Sequence, residues 1–531
     1  MKARGIATSL VRFSAILFAI LQSAHADTWH RAESPSFRVY SSIDAAETRA
    51  YAEHLEAFKY LADLLLGNNP KDRSSAGKFT IYLVDSRDHF KTVWPATGPY
   101  VAGFYRHCVE GSQAFSLAPQ WYGAQMDWGL RIVLHEYSHH LMFSRMRRFY
   151  PSWYVEGFAE YLAGTKLQYG YYLMGVRHDD RAQTLTDSKK WIDYDVMLDP
   201  KRFLAAVKNK KIEVFQYYAQ SWMTAHYMLT DSARSKALND YFDRIARGED
   251  GSEAFKAATG MTATQLRNEI NSYRRKYSAL QVKVPEIPDA PVTVERLPNE
   301  RGDYLLEAAA LRGCPKKKYG EKLAKDLRAL SAKRPGDAGL RLELSRAELL
   351  FGDAKAARRE LEALVAKDPA SFDAHYLLGR SYYQDADGQT AEHIDNRAKA
   401  SAHFLEAYKL DKGDAPNLYY LSISMDMDPD MNKGPSKSVV NAGTAAATLA
   451  PSVPEYALHA ALVNLRAGDK NTAIRVLQPF ANNPHDLEYA GKVAALINEL
   501  GKTEDMSEAI SKLEQLCLPP KEKEKEEEEE E

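Results

Sequence analysis

At 531 residues the chain is too long for one compact core, so two or more domains are expected. Its 45% hydrophobic and 27% charged residues exclude wholesale disorder, and a formal net charge of −2 gives no footing for nucleic acid or an anionic membrane surface.

At the N-terminus, Lys2, Arg4 and Arg12 flank an apolar run from Phe13 to Leu21, followed by Ala24-His25-Ala26. Basic, apolar and small-residue regions in that order predict a signal peptide over 1–26, with cleavage before Asp27 and export to a compartment such as a periplasm. The run falls short of the roughly 20 apolar residues of a spanning helix, so no stable membrane anchor is expected. The only cysteines are Cys108, Cys314 and Cys517. A chain this long does not depend on a disulfide framework; one pair could form, and spacing does not single it out.

Residues 27–277 read as a mixed domain with strands first and helices later, an α+β layout. Phe37–Tyr40 and Phe79–Val84 are predicted strands, separated by an amphipathic helix from Ala45 to Leu66 that stops at Gly67-Asn68-Asn69-Pro70. Val101–Tyr105 and Ala114–Leu117 form two further predicted strands joined across Gly111. They are ordinary core sheet or an edge for an extended substrate.

Long helices follow from about Gln125. In Leu134-His135-Glu136-Tyr137-Ser138-His139-His140, the two histidines spaced by four lie about 40° apart on a helix and share a face. Leu130, Val133, Leu134, Tyr137 and Leu141 make one apolar stripe on the other side, so the helix is expected to pack on the core and present His135, Glu136 and His139 to a cleft. Two imidazoles one turn apart can ligate one zinc ion, with the intervening Glu reaching a water on it. His140 lies about 100° round the helix and should not ligate, and His178 and His226 read as structural.

A third ligand at the His-x-x-Gly-x-x-His spacing is excluded, because Met142 and Arg145 stand there. Pro151-Ser152-Trp153-Tyr154-Val155-Glu156-Gly157-Phe158-Ala159-Glu160-Tyr161 supplies a Glu instead. Ser152 is the expected cap of a helix ending near Gly164, and Gly157 is expected to let it approach the histidine helix. Glu160, one turn beyond Glu156, is placed to accept the outer N–H of a ligand histidine.

Together HEYSHH and PSWYVEGFAEY resemble the gluzincin class of zinc peptidases, the thermolysin-like clan. The resemblance implies Zn2+ held by His135, His139 and Glu156, with Glu136 as general base toward a zinc-bound water and Glu160 supporting a ligand. It departs from the thermolysin pattern in having Glu at 160 and a shorter ligand spacing. It also implies a tyrosine donor to the oxyanion about sixty residues past the Glu ligand. Tyr218 lies 62 residues past Glu156, and Tyr217 fits the spacing equally. Substrates would be peptides or proteins.

Pro285, Pro288, Pro291 and Pro298 predict an extended linker over 278–302. From 303 to 517 the pattern is helical and repetitive, with Pro335, Pro369, Pro416, Pro451 and Pro484 at intervals of 34, 47, 35 and 33. Leu350–Ala357 and Tyr376-Leu377-Leu378-Gly379 resemble tetratricopeptide repeats, with an insertion around Asp385–Asp395. That resemblance implies an all-α array that binds a protein partner. The final segment, 518–531, includes eight Glu and three Lys in its last eleven residues and is expected to be disordered. The reading is an exported zinc metallopeptidase carrying a helical-repeat domain separable at the linker. The alternative is a repeat-based scaffold or assembly protein that keeps a zinc site with little or no turnover.

Overall fold

In the computed structural model the described residues are 28–70, 77–98, 101–118, 128–144, 149–168, 171–187, 190–283, 287–426, 434–481, 487–502 and 505–517. The predicted signal peptide and acidic tail, and Pro285 and Pro484, lie outside them.

The first half is built on β1 (His30–Glu33), β2 (Phe37–Ser41), α1 (Ala45–Leu65), β3 (Phe79–Val84), α2 (Asp88–Val93), β4 (Gly103–Cys108) and β5 (Gly111–Leu117). Asp44 starts α1 by accepting from the amides of Ala46 and Glu47, and Tyr51, Leu55, Phe58 and Ala62 form its buried stripe. Then come α3 (Trp128–Ser144), α4 (Ser152–Ala163), β6 (Lys166–Gln168), β7 (Tyr171–Met174), α5 (Asp179–Asp187), α6 (Tyr194–Leu198), α7 (Pro200–Lys208), α8 (Val214–Leu229), α9 (Ser232–Ala246), α10 (Gly251–Thr259) and α11 (Ala263–Tyr273).

Two strands, β8 (Leu280–Val282) and β9 (Thr293–Arg296), lie in the stretch expected to be a bare linker. β9 pairs antiparallel with β1, His30 opposite Arg296, and closes a six-stranded sheet of order β4-β5-β3-β2-β1-β9. β8 completes a small sheet of order β6-β7-β8. The prolines keep 283–298 free of helix among the described residues, leave the four residues between Val292 and Leu297 free to extend and pair, and give way to a single helical turn after Pro298.

The second half is a succession of helices: α12 (Asn299–Gly302), α13 (Leu305–Arg312), α14 (Lys317–Lys333), α15 (Ala338–Phe351), α16 (Ala354–Lys367), α17 (Phe372–Gln384), α18 (Ala391–Leu410), α19 (Ala415–Asp426), α20 (Lys437–Leu449), α21 (Pro454–Arg466), α22 (Lys470–Ala481), α23 (Leu487–Leu500) and α24 (Ser507–Cys517). From α14 to α23 each packs on the next, which makes this half a helical-repeat array. The insertion is absorbed by the 385–390 loop and by α18, which has 20 residues against 14 in α16. A Cβ at Gly379 would meet the Phe404 ring, so α17 and α18 approach closely there.

The two halves share a core. One face of the large sheet (Phe37, Val39, Phe79, Ile81, Leu83, Ala114) packs under α1 and α3. The other (Tyr82, Val84, Phe104, Phe115) packs against Leu305, Ala309, Leu323 and Leu340 of the array. This is why β3 reads as a continuous apolar run: both its faces are covered. A disulfide joins Cys108 to Cys314, so the pair left open by the sequence links the β4–β5 hairpin to the array. The expected separation at the linker therefore meets a shared interior and a covalent tie.

Candidate metal centre

The α3 stripe lies as expected: Leu130, Val133, Leu134, Tyr137 and Leu141 are buried in the core, leaving His135 and Glu136 half-buried on the opposite side. α4 is different, because Trp153 to Ala163 are buried on every side. It runs between α3 and α8, and two features differ from expectation. Pro151 rather than Ser152 occupies the N-cap, with no side-chain cap bond; proline at that position leaves no amide to satisfy. Gly157 faces α8 rather than α3. A Cβ there would sit 2.3 Å from the Ser221 carbonyl oxygen, so only glycine allows this approach.

This packing brings the three predicted ligands together. Nε2 of His135 and Nε2 of His139 are 3.1 Å apart. Glu156 places its oxygens 3.6 Å and 3.5 Å from those two nitrogens. A tetrahedral ion with bonds of about 2.0–2.2 Å separates its donors by roughly 3.3–3.6 Å, and two imidazoles with one carboxylate form a zinc-type donor set. Among the described residues these three form the group with metal-holding geometry.

The surrounding charges favour a cation. Burial, then Glu160 and Glu136, raises the Glu156 carboxyl well above its ordinary value. Burial, with Glu160 close by, pushes Glu136 up to about 7. A dication reverses both penalties.

Glu160 behaves otherwise. Burial pulls it up, but the bond with His178 and the charges of His135 and Arg181 outweigh that and hold it well below the usual range. Arg181 Nη2 donates to its Oε1 at 2.6 Å, Arg131 Nη2 donates to Oε2 at 3.2 Å, and His178 Nδ1 lies 3.1 Å from Oε2. Nδ1 of His135 faces Oε1 at 3.7 Å, too long for the expected hydrogen bond, since Arg181 takes the nearer position. Sequence reasoning missed this clamp. Arg131 carried a signal, one turn before His135 on the same helix. Arg181 and His178 arrive from after β7, where no local pattern points to them.

Of the two tyrosines, Tyr218 is half-buried and its hydroxyl is held above its ordinary value by burial and by Glu156, Glu136 and Glu160. Arg181 lies over its ring, 5.1 Å from the centroid. Tyr217 is buried and stacked on Phe203 at 4.6 Å. The other histidines singled out in the sequence sit in packed or hydrogen-bonded positions. His140 packs edge-on to Phe79, and burial lowers it to about 4. His178 stacks on Trp222, and His226 bonds the Tyr273 hydroxyl at 2.9 Å and the Gly175 carbonyl at 3.0 Å.

Among the described residues β4 is an edge strand of the large sheet, and α3 packs on β4 and β5.

No family model matches the chain, and no curated protein is similar to it. Among solved structures it is similar to TTC0263, a thermophilic TPR protein of Thermus thermophilus, at 18% identity and a TM-score of 0.30, covering 37% of this chain and 97% of that one. It is similar to MamA at 18% identity and a TM-score of 0.25, covering 34% of this chain and 93% of that one. Likeness at these scores decides nothing about function. The chain is one whose second half is a helical-repeat array, on the strength of its own succession of packed helices.

Proposed function

We propose that this chain is an exported zinc-dependent peptidase of gluzincin type, with a helical-repeat half that contributes a protein-binding surface. The observation that carries the reading is the convergence of His135, His139 and Glu156 donors at 3.1–3.6 Å, beside Glu136. His135, His139 and Glu156 would hold the zinc, which when bound supplies Lewis acidity toward a peptide carbonyl and its attacking water.

The chain's own groups do the rest. Glu136, held near neutrality, takes the proton of the attacking water and passes it to the leaving amine. Tyr218, kept protonated by the carboxylates around it, donates to the oxyanion that develops on the substrate. Glu160, clamped by Arg131 and Arg181, fixes the electrostatics behind His135. β4, the edge strand of the large sheet among the described residues, would orient an extended substrate by strand pairing.

The test is casein hydrolysis and zinc content measured together on wild type and Glu136→Gln. Hydrolysis should fall by roughly 10²–10⁴ with zinc retained. Activity that survives places the chemistry elsewhere. A wild type that binds zinc and cleaves nothing would favour the scaffold reading.

A further inference from the structure

The turn between β4 and β5 does not end in solvent. It enters the face of the array formed by α15, α17 and α21. The Val109 carbonyl accepts from the Tyr456 hydroxyl at 2.8 Å, and the Val109 side chain packs against two of the array's apolar clusters. The Glu110 side chain is buried: its Oε2 accepts from Arg346 Nη1 and from the Tyr376 hydroxyl, each at 3.2 Å, and its Oε1 accepts from Arg380. Further down the hairpin, Gln113 Nε2 donates to the Ala309 carbonyl at 2.6 Å and Arg106 donates to the Gly313 carbonyl.

The charge balance shows what the pocket requires. Arg346 also bonds Glu343 and Asp373, and Arg312 joins the same two carboxylates. Arg312, Arg346 and Arg380 are thus matched by Glu343, Asp373 and Glu110. Without Glu110, two nearly buried guanidiniums would hold a surplus positive charge, which an interior tolerates poorly. The face is built to take one carboxylate.

We propose that this face of the array is a receptor for a carboxylate-bearing β-turn, that its resident ligand is the chain's own Val109–Glu110 turn, and that the grip holds in place the hairpin on which α3 rests. The route to α3 is continuous. A Cβ on Gly103 of β4 would lie 3.4 Å from the Ile132 side chain of α3. Tyr105 of β4 stacks on Phe79, which packs against Tyr137 and His140 of α3. The Tyr105 hydroxyl donates to Ser452 of the array at 3.3 Å. A foreign protein using this face must first displace the turn, and doing so loosens the support of α3.

The inference stands independently of catalysis. Hydrogen exchange of the full chain is followed for Glu110→Gln, Arg380→Gln and the double variant, alongside the rate at which a chelator removes zinc. The same set in a Cys108→Ser/Cys314→Ser background removes the covalent tie. Losing a charged bond of this kind should speed exchange of residues 103–117 and 128–144 by roughly 10–100-fold, and speed metal loss. The double variant, with charge balance restored, should lie nearer wild type than the product of the single effects. Should Glu110→Gln not fold, Glu110→Asp keeps the charge with a shorter reach and should speed the same segments severalfold. Faster exchange confined to α15 and α17, or strictly additive effects, would overturn the inference. None of these readouts requires hydrolysis, so a peptidase-inactive wild type leaves the proposal intact, and its failure leaves the metal site intact.

Discussion

The molecule holds two clusters of largely buried ionisable groups, one around α4 and one where the array meets the β4–β5 turn, and they are resolved in opposite ways. In the array, three guanidiniums meet three carboxylates. There burial pulls Glu343 up, but Arg312 and Arg346 overcome it and drive the carboxyl down to about 2. Around α4, Glu136, Glu156 and Glu160 converge, and Arg131 and Arg181 are committed to Glu160 and Asp180, leaving the other two carboxyls raised. A balanced network is complete within the fold. An unbalanced one beside two histidine nitrogens leaves a place for the cation proposed above.

The largest test of that contrast is metal itself. His135→Ala, His139→Ala and Glu156→Ala should each lose stoichiometric zinc after dialysis, while Glu343→Gln retains it. Metal analysis gives the outcome directly, and a retained ion in the first three would dissolve the distinction. Arg181→Gln, which frees Glu160, should weaken zinc by roughly 10–100-fold in a competition titration.

Packing gives the next largest effect. Gly157 meets α8 backbone, whereas Gly379 meets the Phe404 side chain, which can shift. Gly157→Ala should therefore cost about 3 kcal/mol or more and Gly379→Ala about 1–2 kcal/mol, read from denaturant midpoints at constant slope. Equal losses would mean that the two helix contacts are equally rigid.

The last test is pH dependence, spread over several pH units, and the two halves should differ in sign. Glu343 has a depressed folded value, so its stabilisation is present above about pH 4.5 and is lost as pH falls through 2. It amounts to about 3 kcal/mol at most. Glu136 has a raised folded value. In metal-free protein the folded state keeps a proton that the unfolded state has released, so stability falls as pH rises from about 4.5 to 7. The stability difference between wild type and Glu136→Gln, measured across that window, should move against wild type. A flat difference would mean that Glu136 is better solvated than its position beside Glu160 indicates.

Much of the centre was legible because helical periodicity is local. The stripe from Leu130 to Leu141 sets the face of His135 and His139, and Glu156 and Glu160 repeat one turn apart on the next helix. What escaped depended on distant partners. Gly157 was read toward α3 because sequence adjacency suggests neighbouring helices, and the true neighbour, α8, begins nearly sixty residues later. β9 was hidden among prolines, because four paired residues leave no period to detect and their partner, β1, lies at the other end of the half. Glu110 was not singled out at all, since nothing near it in sequence announces Arg346 and Arg380.

The pairing of β9 with β1 sets a timetable for the chain. His30 and Arg296 are opposite one another, so one margin of the sheet can be closed only after the whole of the first half has left the ribosome. Until then β1 has β2 on one side and an unsatisfied edge on the other, while α3 and α4 are already synthesised. Contacts this far apart in sequence form slowly. A nascent chain interrupted before residue 293 thus carries His135, His139 and Glu156 on a scaffold that is still open at its rim.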